Sequence, residues 1–440
     1  MVLATLLAAL SPGCISDAVT TDASSQPEFS VDTLSLGLTI TDQKSPTHSM
    51  RVYNRHDKAI KISSIRLASG NDSPFRLNVD GMSGREFHEV EIRAKDSIYV
   101  FVDATLPPNG IAGPATINDQ ITFTTNGIDK RITLTAEAYD VERIRAEIID
   151  CDTRWTGDMP KQIFDSLIVA RGATLTLDAG CRLMFHDKAY MAVYGTLIAN
   201  GSVQQPIVMS GDRTGNVVAS IPFDIMSGQW AGVRFERESK ENSLSHTVIA
   251  NTLNGVKANE AQLTIYNCRL RNSDTYPLAA SRSRITAVGC EIADGANGAL
   301  LLKGGQYDFN HCTLANYFIF APITGALVQI TESTDTEAYF TNSIVYGIGN
   351  DLSPTDISGS NIIFRRSLLK SEGKDDDNFI DMLWGKDPMY MLDREKYIFD
   401  YRLLDDSPAL NAADASLDNQ FDMPTMDFYG NPRKSAGAYQ

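Results

Sequence analysis

The sequence predicts an all-β protein in two parts, an antiparallel β-sandwich followed by a parallel β-helix. Three observations carry this. Residues from Glu28 to about Asp140 alternate apolar and polar in short runs separated by turn signals. Beyond about Glu147 the texture changes to brief apolar runs broken by Gly, Asn and Asp. Within that stretch Cys268, Cys290 and Cys312 recur at a step of 22 residues.

Composition bounds the problem. The chain has 440 residues, enough for two or three domains, and 43% of them are hydrophobic, too many for a disordered chain. The 55 acidic residues exceed the 39 basic ones, giving a formal net charge of −16. That balance argues against nucleic acid, whose phosphates need a basic face. Six cysteines in this length cannot build a dense disulfide scaffold.

Residues 1–27 read as an address and a tether. Val2 to Leu10 form an apolar run too short to span a bilayer, which needs roughly 20 residues, but suited to the core of a secretory signal. Ser11-Pro12-Gly13-Cys14 follows. A cysteine after a small residue at this point resembles the lipobox of bacterial lipoproteins. The resemblance implies that Cys14 becomes the first mature residue and carries the lipid. The alternative is an ordinary signal peptide with an incidental cysteine. Ile15 to Pro27 is rich in Ser, Thr, Asp and Ala without apolar period, as in a flexible linker. No other segment approaches a membrane span, so a lipid is the expected route to the membrane.

Residues 28–140 supply the sandwich. Runs such as Met50-Val52, Ile60-Ile62-Ile65, Ile98-Val100-Val102 and Ile121-Phe123 alternate with turns at Asp80-Gly81 and Asn126-Gly127. About seven strands in ~110 residues fit two packed antiparallel sheets. Their order resembles bacterial immunoglobulin-like domains, which implies a spacer. His48, His56 and His88 share no ligand spacing and read as surface or turn residues.

Residues 141–399 supply the helix of strands. With the cysteines in register, Val256, Leu278 and Leu300 align, as do Leu263, Ile285 and Tyr307, and Ile265, Ala287 and Phe309. Thr247 precedes the cysteine column, and Ser343 and Ser367 continue it. Four residues after Thr247 and each of the three cysteines stand Asn251, Asn272, Asp294 and Asn316. A unit of ~22 residues with two or three brief strands is one coil of a parallel β-helix, and ~9–11 coils fit the length. The Asn/Asp column should mark a tight left-handed turn.

The cysteine column admits three readings. Zinc needs converging ligands, usually with a close pair, and none exists. A disulfide needs closer Cβ atoms than in-register neighbours ~4.8 Å apart provide. An inward column of small residues fits best, because Thr and Ser occupy the same place. His246 and His311, one residue earlier, should then point outward. Cys151 and Cys181 carry no assignment.

The segments Gly172-Ala173-Thr174-Leu175-Thr176-Leu177-Asp178-Ala179-Gly180, Val193-Tyr194-Gly195-Thr196-Leu197 and Trp230-Ala231-Gly232-Val233 resemble the first coils of right-handed parallel β-helix surface proteins, Bacteroides-like in flavour. Ser407-Pro408-Ala409-Leu410 and Asp427-Phe428-Tyr429-Gly430-Asn431-Pro432 resemble their final segment. The resemblance implies that residues 400–440 close the last coil. It also implies an outer-membrane lipoprotein at the cell surface or periplasmic face.

Chemistry is harder to read. Asp375-Asp376-Asp377 beside Lys374 offers oxygen ligands of the kind Ca²⁺ takes, but the run reads more simply as a polar loop. No other cofactor is called for, and no metal site is assigned. Asp405-Asp406 reads as turn chemistry, Arg365-Arg366 is a lone basic pair, and the outward positions Lys257, Arg269, Glu291 and Thr313 form no column of like groups. Tyr276, Tyr317, Phe318 and Phe320 could contact a ligand. The expected function is a non-catalytic surface lipoprotein whose long face binds glycan or protein. The alternative is a polysaccharide lyase or glycoside hydrolase. The anchor makes a simple prediction: Cys14→Ser releases the protein from the membrane fraction, and retention there would refute lipidation at Cys14.

Overall fold

The computed structural model describes residues 18–111, 113–218, 221–420 and 424–440. Cys14 lies outside the described residues. The chain is all-β and divides into two compact units, Met1–Asp140 and Val141–Gln440.

The first unit holds two five-stranded sheets. One runs Glu28–Phe29, His48–Tyr53, Ser97–Ala104, Phe75–Val79 and Met82–Gly84, all antiparallel. The other runs Thr33–Ile40, Ile128–Tyr139, Ala115–Thr125, Ile60–Leu67 and Glu86–Ile92. Period-two alternation sends one side of each strand inward. Leu36, Val52, Ile62, Phe75, Val100, Phe123 and Leu134 thus meet in one buried cluster fed by both sheets. One pairing departs from the expected antiparallel pattern: Thr33–Ile40 runs parallel to Ile128–Tyr139. A parallel neighbour needs a long crossover, and the rest of the unit supplies it. His48 and His88 lie in different sheets, and His56 bonds the Gln26 carbonyl at 3.1 Å.

The second unit is built on one 25-stranded sheet whose pairings are all parallel, consistent with a parallel β-helix. Through its middle coils each strand pairs with its counterpart one coil later. Three inward columns result. Val233, Val256, Leu278, Leu300, Val328 and Leu352 form one. Leu244, Ile265, Ala287, Phe309, Phe340, Phe364 and Phe379 form the second. Ile249, Leu270, Ile292, Leu314, Val345, Leu369 and Trp384 form the third. Almost all are fully buried and belong to one core. In-register stacking places like side chains face to face. The rings of Phe309, Phe340, Phe364 and Phe379 therefore follow one another at 5.0, 4.4 and 5.5 Å, nearly parallel.

The small-residue column has a hydrogen-bonding reason. Thr247, Cys268, Cys290, Cys312, Ser343 and Ser367 are all fully buried. Each donates its hydroxyl or thiol to the carbonyl two residues earlier: Ser245, Tyr266, Val288, Asn310, Thr341 and Arg365. From Thr247 to Ser367 the position holds a small side chain with one donor, which is what Thr, Cys and Ser share. Register extends the column back through Ile207 to Cys181. The thiols of Cys181, Cys268, Cys290 and Cys312 are free.

The left-handed corner lies one residue before this column. His246, Asn267, Gly289, His311, Asn342, Arg366 and Asp381 all have φ between 44° and 65°. In the Asn/Asp column Asn251, Asn272 and Asp294 are left-handed too, but Asn316 is not. Asn316 instead donates its amide to the Gly295 carbonyl at 2.8 Å.

The final segment departs most from expectation. Residues 400–420 and 424–440 pack along the flank of several coils, from Ala293 to Leu368, and not at an end alone. Ala293, Ala315, Ile344 and Leu368, outward on successive coils, pack with Tyr390, Tyr401, Phe428 and Tyr439 in a second core. The outward positions Arg269, Glu291 and Thr313 do stack as a column of unlike groups, continued by Ile344 and Leu368. The strands Ile292-Ala293, Leu314-Ala315, Ile344-Val345 and Leu368-Leu369 are apolar on both faces because both faces are covered.

The phenylalanine ladder yields a stability prediction. Phe340→Ala removes the middle ring and should cost ~3–5 kcal/mol. Denaturant unfolding of the full chain measures it, and a loss under about 1 kcal/mol would mean that the ladder is not a main support.

Candidate functional site

Two places on the second unit gather polar chemistry. The first is the seam between the coils and the final segment. Glu291, fully buried, receives the Arg269 Nε–H at 3.3 Å and the Tyr439 hydroxyl at 2.8 Å. Arg271 lies 3.5 Å from Glu291 and donates to the Phe399 carbonyl at 3.0 Å. Asp294 accepts the Tyr401 hydroxyl at 2.5 Å and the Tyr317 N–H at 3.0 Å. Burial pushes the Asp294 carboxyl above its ordinary value, against the pull of Arg271 and the Tyr401 hydroxyl.

The left-handed corner residues complete the seam. Asn267 donates to the Met426 carbonyl at 3.0 Å and accepts from Arg433 at 2.5 Å. His311 contacts the Ser435 carbonyl at 3.0 Å and Asp418 at 3.2 Å. Asn342 bonds Asp414 in both directions, and Arg366 donates to the Ala412 carbonyl at 3.1 Å. At Gly289 a Cβ would fall 2.2 Å from the Arg433 guanidinium, so a side chain there would displace that arginine. His246 and His311 do point outward, as expected, but not into open solvent. Both leave the coil core, but His311 is buried under the segment, and His246 is half-buried against Phe428.

The Asn/Asp column also reaches across the molecule. Asn251 donates to the carbonyls of Asp224 and Met226 at 2.7 and 2.8 Å, and Asn272 to Asp224 at 3.2 Å. These side chains hold the Phe223–Ile225 turn. A hollow of about 390 Å³ remains between coil and segment, lined by Arg269, Arg271, Tyr397 and Phe399. Its two buried arginines already serve Glu291, so the seam is structural.

The second place is a hollow of about 360 Å³ near the last coils, within the range of small-molecule sites. Leu352, Leu369, Phe379 and Trp384 give it apolar walls, and Asp351, Glu372, Lys374 and Asp376 give it charged ones. Leu352, Phe379 and Trp384 are the final members of the three core columns and Leu369 the member before Trp384, so rigid strands position them. The loop from Lys370 to Asn378 folds beside them. Asp375 accepts the Trp384 indole N–H at 3.0 Å, which fixes the ring. Asp376 accepts the N–H groups of Asn378 and Phe379 at 2.8 and 3.0 Å, an Asx turn. Gly373 lies flat on the indole, where a Cβ would come within 2.6 Å of ring carbons.

The aspartate run therefore shapes this hollow through turn and ring contacts. Among the described residues no three His, Cys, Asp or Glu side chains converge to hold a metal. Burial pushes the Cys268 and Cys312 thiols well above their ordinary value, so they stay protonated and poor as ligands or nucleophiles. Of the aromatic candidates, Tyr317 packs against Tyr390 and Tyr401, Phe318 is buried, and Phe320 is exposed. Asp405 and Asp406 are exposed turn residues. Sequence reasoning passed over Asp351, Glu372, Phe379 and Trp384. The available signal was the loop between two short apolar strands, flanked by Gly373 and Gly385.

No protein-family model and no curated protein matches the chain. Among solved structures, one likeness is to a family 123 glycoside hydrolase from Clostridium perfringens, at 10% identity and TM-score 0.19. It covers 27% of this chain and 26% of that one. Another is to the VesB protease of Vibrio cholerae, at 15% identity and TM-score 0.19, covering 27% and 33%. The catalytic unit of a GH87 α-1,3-glucanase from Streptomyces thermodiastaticus aligns over 73% of this chain and 79% of its own, at 10% identity and TM-score 0.18. No helix among the described residues is long and apolar enough to cross a membrane.

The seam makes its own prediction. Glu291→Ala leaves two buried guanidiniums without their carboxylate and should cost ~3–5 kcal/mol. Limited proteolysis should then cut within the final segment before the coils, and an unchanged cleavage pattern would refute the pinning role.

Proposed function

We propose that this is a surface lipoprotein that binds glycan without cleaving it, through the hollow beside Trp384. In this reading Cys14 anchors the chain to the outer membrane, at the cell surface or the periplasmic face. An immunoglobulin-like sandwich serves as spacer, and a right-handed, Bacteroides-like β-helix presents the site. The hollow supports the reading most directly. It joins aromatic and aliphatic walls, which suit the C–H faces of a sugar ring, to a charged rim that can exchange hydrogen bonds with hydroxyls.

One observation favours the second reading, a polysaccharide lyase or glycoside hydrolase. Asp351, Glu372 and Asp376 border the same hollow, and hydrolysis of a glycosidic bond uses a pair of carboxylates. Incubation of the full chain with neutral and uronate polysaccharides, with and without Ca²⁺, separates the two. Binding without new reducing or unsaturated ends is expected. Release of such ends, abolished by Asp351→Asn or Glu372→Gln, would establish the enzyme.

A further inference from the structure

We infer that the hollow selects a saccharide bearing a free amine, a deepening that rests on the glycan-binding reading above. The argument starts from Asp351. Its residue is only 3% exposed, and it lines the hollow. One carboxylate oxygen accepts the Ser371 N–H at 2.7 Å. The other is buried and has no hydrogen-bond partner among the described residues. A buried carboxylate oxygen without a donor is costly, and a ligand that supplies the donor recovers that cost.

The nearest lysine in sequence to this wall does not supply it. Lys370 donates instead to the carbonyls of Gly347 and Gly349. Around the lining, three carboxylates stand against one ammonium, Asp351, Glu372 and Asp376 against Lys374. Such a wall repels a uronate or sulfate and attracts a cation. A protonated amine is a compact cation with three N–H donors, which suits one orphan oxygen flanked by further carboxylates. The apolar wall of Phe379, Leu369 and Trp384 then takes the ring that carries the amine. Neither half explains the other: a bare ammonium has no use for the aromatics, and a neutral sugar brings hydroxyl donors but no charge to offset three carboxylates.

Titration of the full chain followed by calorimetry tests this with four probes. They are a glucosamine oligosaccharide with free amines, its fully N-acetylated form, a uronate oligosaccharide and a lysine-bearing peptide. The free-amine form should bind at least tenfold tighter than the N-acetylated form, and the uronate weakest. Asp351→Asn keeps an acceptor for Ser371 and should erase that tenfold preference. Glu372→Gln, on the rim, should reduce it, and it serves where Asp351→Asn fails to fold. Equal binding of free and acetylated forms would overturn amine selection while leaving glycan binding intact. Equal binding of the peptide would overturn the saccharide. Failure of every saccharide to bind would remove the glycan reading itself.

Discussion

In-register parallel stacking is the constraint on which the second unit depends. Each residue of a coil sits on its counterpart in the coil before, so a column, rather than a residue, has an environment. That environment decides what each column tolerates. Where the side chain must reach the carbonyl two residues back, only a small donor fits, and Thr, Cys and Ser interchange from Thr247 to Ser367. Where the column runs through the widest part of the core, rings can lie flat on rings from Phe309 to Phe379. The backbone sets the spacing, and the side chains adapt to it.

The same stacking creates a second demand. A coil face whose outward residues are apolar must be covered, and here the final segment covers it. Its attachment combines two kinds of contact. The outward apolar residues Ala293, Ala315, Ile344 and Leu368 supply burial without direction. The Arg269–Glu291–Arg271 group and the corner residues Asn267, His311 and Asn342 supply direction, because each bonds particular groups of the segment. Buried charge contributes little net stability when paired, but its loss on one side is severe. Such a seam therefore fixes where the segment lies more than how tightly it is held.

This division explains what the sequence could and could not reveal. The 22-residue step was legible because three identical cysteines recur in one environment. The left-handed turn at Asn251, Asn272 and Asp294 was legible too, but the second left-handed corner was not, since His311, Arg366 and Gly289 share a backbone conformation but no side-chain chemistry. They differ because each meets a different part of an irregular segment. The flank was hidden for a related reason. Pairs such as Ile344-Val345 and Leu368-Leu369 do announce two covered faces, but nothing local says that residues 70 positions later provide the cover. The final segment carried a motif and was assigned to an end by resemblance, whereas its contacts run along several coils. Cys181 fell on the column only once the longer coil between Ile207 and Thr247 was in register.

The hollow beside Trp384 follows from where the stack ends. An interior rung such as Leu314 is buried by the coil on either side, but Phe379 and Trp384 are final rungs and stay partly exposed. A loop must therefore fold over them, and the loop at Lys370 to Asn378 does so through Asp375, Asp376 and Gly373. A loop freed from the repeat can carry groups that no column would accept, including carboxylates against an aromatic ring. Binding chemistry accumulates on such segments because the rigid scaffold beneath needs nothing further from them. The end of a solenoid is thus both its least satisfied surface and its least constrained sequence. In this chain those two properties meet at one hollow, where closing the core leaves aromatic surface beside a carboxylate oxygen that no described residue satisfies.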